Sequence, residues 1–327
     1  MTEEQIINSL GFRFDDPCEV KGKISIAHLF TENKDRCGIY LLKFSDNTFY
    51  IGQAKDVVKR FRQHCMSYDN IVHLWFQPVE KEKLNETEER FIRNAESDGL
   101  LLKNIVHVSS IVGESNLDKI ISPAEQQEWL DTDKEISNDG YDLYPKVEEK
   151  YKIRYRQRFE NLKANKDYAL IKRILSTYIH KCLPAFKKTE SDFWSLSCLP
   201  ATNQNSFPRY FCMNVNFMEV FVAGYDLETK EPFAFFVLST HFMHTAKDIN
   251  RILTKYPDMD IAENNYKAAG VDQVSVYFSD LAQVEDILLT EPVVVKSIKE
   301  LNLRLMRKGP TIFSKYHCFD LVHDVLS

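Results

Sequence analysis

The chain has 327 residues, 44% of them hydrophobic and 28% charged, with a formal net charge of −6. This is the composition of a globular protein large enough for two or three compact units, and the chain carries no internal repeat and no low-complexity tract. There is no run of the roughly 18 apolar residues that a membrane span needs, the first residues are acidic rather than signal-like, and seven scattered cysteines without a C-x-x-C pair argue against a disulfide framework or a zinc ribbon.

In chain order, Thr2-x-x-Gln5 before Ile6, Ile7 and Leu10 predicts a capped short helix stopped at Gly11. Phe12 to Thr31 carries little signal. Gly38 to Phe44 and Thr48 to Gln53 read as two strands joined at Ser45-Asp46-Asn47. Asp56 caps a helix to about Met66, Ile71 to Val79 is a third strand, and a second helix runs from Lys81 to about Asp98, ending near Gly99. Ser109 to Tyr144 is polar and acidic, with Ser122-Pro123-Ala124-Glu125 opening a short helix, and reads as a connector.

Further on, Glu148 to about Ile179 reads as one long basic helix, and Leu183 to Ser206 as loop. Strands are expected at Tyr210–Gly224, Pro232–Ser239 and Val271–Phe278, and helices at Thr245–Tyr256, Leu281–Leu289 and Ser297–Arg307. The fold class is therefore α+β: a small mixed sheet flanked by helices, a basic helical connector, and a second mixed α/β domain. The expected domains are an N-terminal extension at 1–34, a compact mixed module at 35–108, the connector and basic segment at 109–188, and a C-terminal α+β domain at 189–327 for recognition or self-association.

Charge is unevenly spread. Between Lys146 and Lys188 thirteen Lys and Arg face four Asp and Glu, so one strongly basic segment sits inside an acidic whole. Phosphate contacts depend on the local field, so the net charge does not exclude a nucleic-acid partner. Lys152, Arg154, Arg156 and Arg158 are candidate phosphate contacts; they could track a DNA backbone or form a solvated face. His241-x-x-His244 lacks further metal ligands and reads as structural, and there is no phosphate-binding glycine loop.

The hairpin region holds the chemistry. With a three-residue loop and Asn47 left-handed, Tyr40 lies opposite Gly52, Tyr50 opposite Leu42, and both tyrosines project from one face. A two-residue loop would separate them, and a plain amphipathic hairpin is the alternative. On the next helix Arg60 and His64 are four apart on one face, where a guanidinium could fork onto phosphate oxygens. Lys55, Lys59 and Arg62 surround it and could hold flanking phosphates, unless the run is only a solvated basic helix. Glu88 falls within the apolar stripe of Leu84, Phe91, Ile92 and Ala95. A carboxylate there is costly unless it is paired or binds a metal, so a divalent cation or an ion pair with Arg60 is expected. Asn104 could be a turn residue.

Gly38-Ile39-Tyr40, Tyr50-Ile51-Gly52, Arg60, His64, Glu88 and Asn104, in this order and spacing, make residues 35–108 similar to the GIY-YIG nucleases. The resemblance implies that these side chains surround a scissile phosphate. It implies Tyr40 as general base, Tyr50 positioning phosphate or water, Arg60 stabilising developing charge, and His64 bonding a tyrosine or phosphate. Glu88 would hold Mg²⁺ or Mn²⁺, and Asn104 would brace the site. The expected protein is a cytoplasmic, metal-dependent endonuclease acting on double-stranded DNA, with no membrane partner, in restriction or phage defence. The alternatives are a mobile-element (homing-type) endonuclease and a non-catalytic nucleic-acid-binding protein that keeps the fold.

Overall fold

The computed structural model describes residues 7, 10, 17–30, 35–104, 114–132, 134–139, 149–243, 246–264, 266, 269–270 and 272–327. The chain forms two compact units, Met1–Gly113 and Glu114–Ser327. Among the described residues no helix is long and apolar enough to cross a membrane.

The first unit is built on a four-stranded antiparallel sheet of order β1-β4-β2-β3, with β1 at Cys18–Glu19, β2 at Gly38–Phe44, β3 at Phe49–Ala54 and β4 at Ile71–Pro78. Helix α1, Val57–Ser67, covers one face and α2, Leu84–Ser97, the other. Alternation along β2 explains both layers: Ile39 and Leu41 join Phe91, Ile92 and Ala95 of α2, while Tyr40, Leu42 and Phe44 join Val57, Val58 and Phe61 of α1. The short β1 lies in a stretch that carried little sequence signal. The helix expected from Thr2 to Gly11 lies outside the described residues, apart from Ile7 and Leu10, which are buried.

The β2–β3 turn is the one the residues require. Asn47 has φ 59°, and the Asp46 carboxylate accepts from the Thr48 amide at 3.1 Å and its hydroxyl at 2.5 Å. Lys103 reaches the same carboxylate at 2.9 Å. The Thr48 hydroxyl and the Lys103 ammonium hold the Asp46 acid down to about 2. The register follows, with Tyr40 opposite Gly52 and Leu42 opposite Tyr50.

The second unit carries a six-stranded antiparallel sheet of order β5-β6-β7-β8-β10-β9. These strands are β5 Trp194–Cys198, β6 Arg209–Val215, β7 Met218–Tyr225, β8 Pro232–Ser239, β9 Asp260–Glu263 and β10 Gln273–Phe278. The single strand expected at Tyr210–Gly224 is two strands, because Asn216 takes φ 53° and reverses the chain. β5 lies in the stretch expected to be loop.

The helices of this unit are α3 Pro123–Asp131, α4 Glu149–Lys152, α5 Arg156–Lys163, α6 Tyr168–Cys182, α7 Phe186–Thr189, α8 Ala246–Lys255, α9 Leu281–Thr290, α10 Pro292–Arg307 and α11 Phe319–Leu326. The long basic helix is three helices. Residues 114–188 supply Leu117, Trp129, Phe159, Leu162, Ile171 and Leu175 to the same core as Phe211, Phe221 and Leu301, so this stretch packs with the C-terminal half. Its lysines and arginines occupy the outer faces of helices whose inner faces are apolar, which sequence charge alone does not reveal.

Candidate functional site

In the first unit an open cleft is lined by Tyr40, Tyr50, Arg60, His64, Glu88 and Asn104, all six expected site residues, together with Gln53, Gln63, Ser67, Tyr68 and Lys103. Tyr40 and Tyr50 stand on the α1 face of the hairpin with rings stacked at 6.2 Å and 18°. Gly52 makes room for this. A Cβ there would strike the Tyr40 hydroxyl and the Tyr50 ring.

Asp56 caps α1 through the Lys59 amide at 3.1 Å and so sets the phase that brings Arg60 and His64 onto the cleft side. The Tyr40 hydroxyl and His64 Nε2 are 2.7 Å apart, and Arg60 Nε donates to the Tyr40 oxygen at 3.3 Å. Arg60 also donates to the Gln63 side chain at 3.0 Å. Burial, then the Arg60 charge, lower the His64 imidazole to about 4. His64 is thus neutral at pH 7 and has an acceptor nitrogen for the phenol. Burial raises Tyr40 well above the usual phenol range despite Arg60, and Tyr50 is also raised, again chiefly by burial.

Glu88 and Asn104 reach the site by another route. β3 is an edge strand, so its outward amides need partners. Phe49 donates to the Leu101 carbonyl at 2.9 Å, Ile51 to the Asn104 side chain at 3.0 Å, and Gln53 to Glu88 Oε1 at 3.1 Å. The Asn104 amide returns a bond to the Ile51 carbonyl at 2.6 Å, and the Gln53 side chain donates to Glu88 Oε2 at 2.7 Å. Glu88 lies on the apolar stripe of α2, as its phase requires, yet it is half-buried because the stripe there borders the open cleft.

A divalent cation suits this carboxylate. Both oxygens are oriented by Gln53, and the carboxylate lines the open cleft. Among the described residues no three His, Cys, Asp or Glu side chains form a metal cluster. A lone carboxylate on an open cleft is a donor for a hard divalent cation that keeps water in its shell, and it does not make an enclosed zinc site.

Lys55, Lys59 and Arg62 are exposed and outside the cleft lining. In the second unit Lys152 is half-buried, Arg154 donates to the Lys315 carbonyl at 3.4 Å, and Arg158 to the Leu199 carbonyl at 3.1 Å. Arg156 pairs with Asp320 at 3.3 Å, so the four do not form one uniform stripe. His244 lies outside the described residues. The sequence reading missed Gln53 and Lys103. Gln53 directly follows the second tripeptide, but its contact with Glu88 spans 35 residues.

Residues 36–91 match the family described as the GIY-YIG catalytic domain, so the first unit carries a module of that kind, and the family is one of nucleases. Asn104 lies beyond the matched stretch. No curated protein and no solved structure matches the chain.

Proposed function

We propose that the protein is a divalent-metal-dependent endonuclease that hydrolyses phosphodiester bonds of double-stranded DNA, serving in restriction or phage defence in the cytoplasm. One observation carries the catalytic reading: Tyr40, Arg60, His64 and Glu88 converge on a single cleft from a strand and two helices on opposite faces of the sheet. In this reading the larger second unit, which has its own core, recognises the target or self-associates.

The scissile phosphate lies against Arg60, whose guanidinium stabilises the charge that develops on it. Tyr40 is the general base. Its high proton affinity as an anion means that the phenol stays protonated until water attacks. The Tyr40 oxygen takes the water proton as its own proton passes to His64 Nε2 along the 2.7 Å bond. Added negative charge at the phosphate offsets Arg60 and makes His64 a better acceptor at that moment. Tyr50, stacked on Tyr40, positions phosphate or water, Asn104 braces β3, and Lys55, Lys59 and Arg62 hold flanking phosphates. A cation on Glu88 would neutralise charge on the leaving oxygen.

Incubation of the pure protein with Mg²⁺ or Mn²⁺ and a panel of plain and base-modified duplexes tests this. Cut products from at least one duplex are expected. Intact DNA throughout, under both metals, overturns the reading.

A further inference from the structure

The second unit contains a cleft that the catalytic reading does not use, and we infer that it binds a nucleoside phosphate. Its floor is the face of β5, β6 and β7 turned away from the core. There Ser197 pairs in register with Cys212, and Asn214 with Glu219. Ser197 and Asn214 are only 8% and 6% exposed. Polar side chains on a sheet at that depth are costly unless they have partners. Ser197 donates to the Cys212 carbonyl at 3.1 Å, and the Asn214 amide nitrogen has only the Cys212 sulfur, at 3.5 Å. The Asn214 side chain lines the cleft, where its amide oxygen can accept from a ligand. Beside it the Glu219 carboxylate is fixed by the buried Arg209 at 2.6 Å. A hydroxyl, an amide and a carboxylate side by side are groups that can read the edge of a base.

The walls complete the chemistry. Arg154 and Arg158 lie 5.4 and 5.5 Å from the ring centre of Tyr155, and each is held by one backbone carbonyl. The remaining guanidinium donors are available to phosphate oxygens. Phe313 and Tyr316 line the same cleft, and Tyr316 is 44% exposed, a surface on which a base can stack. An apolar ligand would gain nothing from this floor, and inorganic phosphate alone would leave the aromatic surface unused. Arg156 lies outside the cleft lining and serves as an internal control.

The nucleotide can come from a DNA strand, turned out of the stack, or from solution. The first source rests on the nuclease reading; the second does not. The test uses the full chain carrying Glu88→Gln. One arm titrates the four deoxynucleoside 5′-monophosphates calorimetrically. The other follows anisotropy and base fluorescence of duplexes containing 2-aminopurine. In one arm or both, Arg154→Gln with Arg158→Gln is expected to weaken binding by about ten-fold or more, Tyr316→Ala by about five-fold or more, and Arg156→Gln to leave it unchanged. Binding in the first arm identifies free nucleotide. Binding confined to the second, with a fluorescence rise that the double variant loses, identifies DNA. No binding in either arm, or wild-type binding by a double variant with native melting, overturns the inference. Cleavage of plain duplexes by the unmodified chain is scored in parallel. Cutting with no mononucleotide binding and no 2-aminopurine fluorescence rise removes this cleft and leaves the nuclease reading standing, since anisotropy alone also reports DNA held by the first unit; a positive first arm without cutting does the reverse.

Discussion

The Tyr40 hydroxyl and His64 Nε2 share a 2.7 Å hydrogen bond beneath the cleft, between residues that are 1% and 7% exposed. Arg60 donates to the same phenol oxygen, so when Nε2 is the unprotonated nitrogen of His64 the Tyr40 proton points to it. Tyr40→Phe deletes one hydroxyl from this chain, so cleavage should fall by roughly two orders of magnitude or more at unchanged secondary structure. Tyr50→Phe should cut more slowly but measurably. A dead Tyr50→Phe beside an active Tyr40→Phe would exchange their roles.

His64 also ties stability to pH. Its folded value, about 4, lies below the ordinary imidazole value of 6.5, so the unfolded chain binds the extra proton between these limits. Stability is therefore full above about pH 6.5 and declines as pH falls toward about 4, by about 2 kcal/mol at pH 5 for this group alone. Denaturant unfolding of the first unit at pH 7 and pH 5 should show that loss, and His64→Gln should remove most of it. An identical pH dependence in the variant would mean that His64 is not buried in its neutral form.

Gly52 faces the stacked tyrosines. Gly52→Ala should cost roughly 1–3 kcal/mol, because the new methyl meets the Tyr40 hydroxyl and the Tyr50 ring rather than open space. Cleavage should drop along with it, at unchanged DNA affinity. Thermal melting with a binding titration measures both, and a fully stable, fully active variant would contradict the close approach.

Glu88 and Arg60 separate binding from chemistry. Glu88→Gln keeps an acceptor for the Gln53 backbone amide and loses the one that the Gln53 side chain uses, a cost of about 1 kcal/mol, so DNA binding should be nearly unchanged while cleavage is abolished, as it should be for the wild type in EDTA. Arg60→Ala should lose about a hundred-fold or more in rate, and Arg60→Lys should recover little of it, because lysine cannot fork. Full activity of the Glu88 variant, or of the wild type in EDTA, removes the metal role.

Asn104 should behave differently. Asn104→Ala leaves the Ile51 amide and carbonyl without their partners on the edge of β3, which should lower stability by roughly 1–3 kcal/mol. Its activity loss should be partly restored at lower temperature, where the strand is held. A variant as stable as the wild type, yet inactive, would make Asn104 a direct participant in the chemistry.

The sequence by itself determined whatever local rules govern. Alternation along Gly38–Phe44, an Asn able to turn left-handed, and Asp56 at a helix start were enough to place both tyrosines on one face and Arg60 with His64 on another. The order of six residues was enough to identify the module. Tertiary structure alone decided the partnerships. Tyr40 meets His64 across 24 residues and Gln53 meets Glu88 across 35. Glu88 and Asn104 enter the site because β3 is left at a sheet edge, a fact of strand order that no local pattern encodes. The second unit shows the same division. Charge counting found a basic segment, but only packing shows that its apolar faces lie in the core and that Arg154 and Arg158 share a cleft while Arg156 turns to Asp320. Long-range contacts form between residues whose separation in sequence leaves no period to read, so their physical cause exists only in the folded chain.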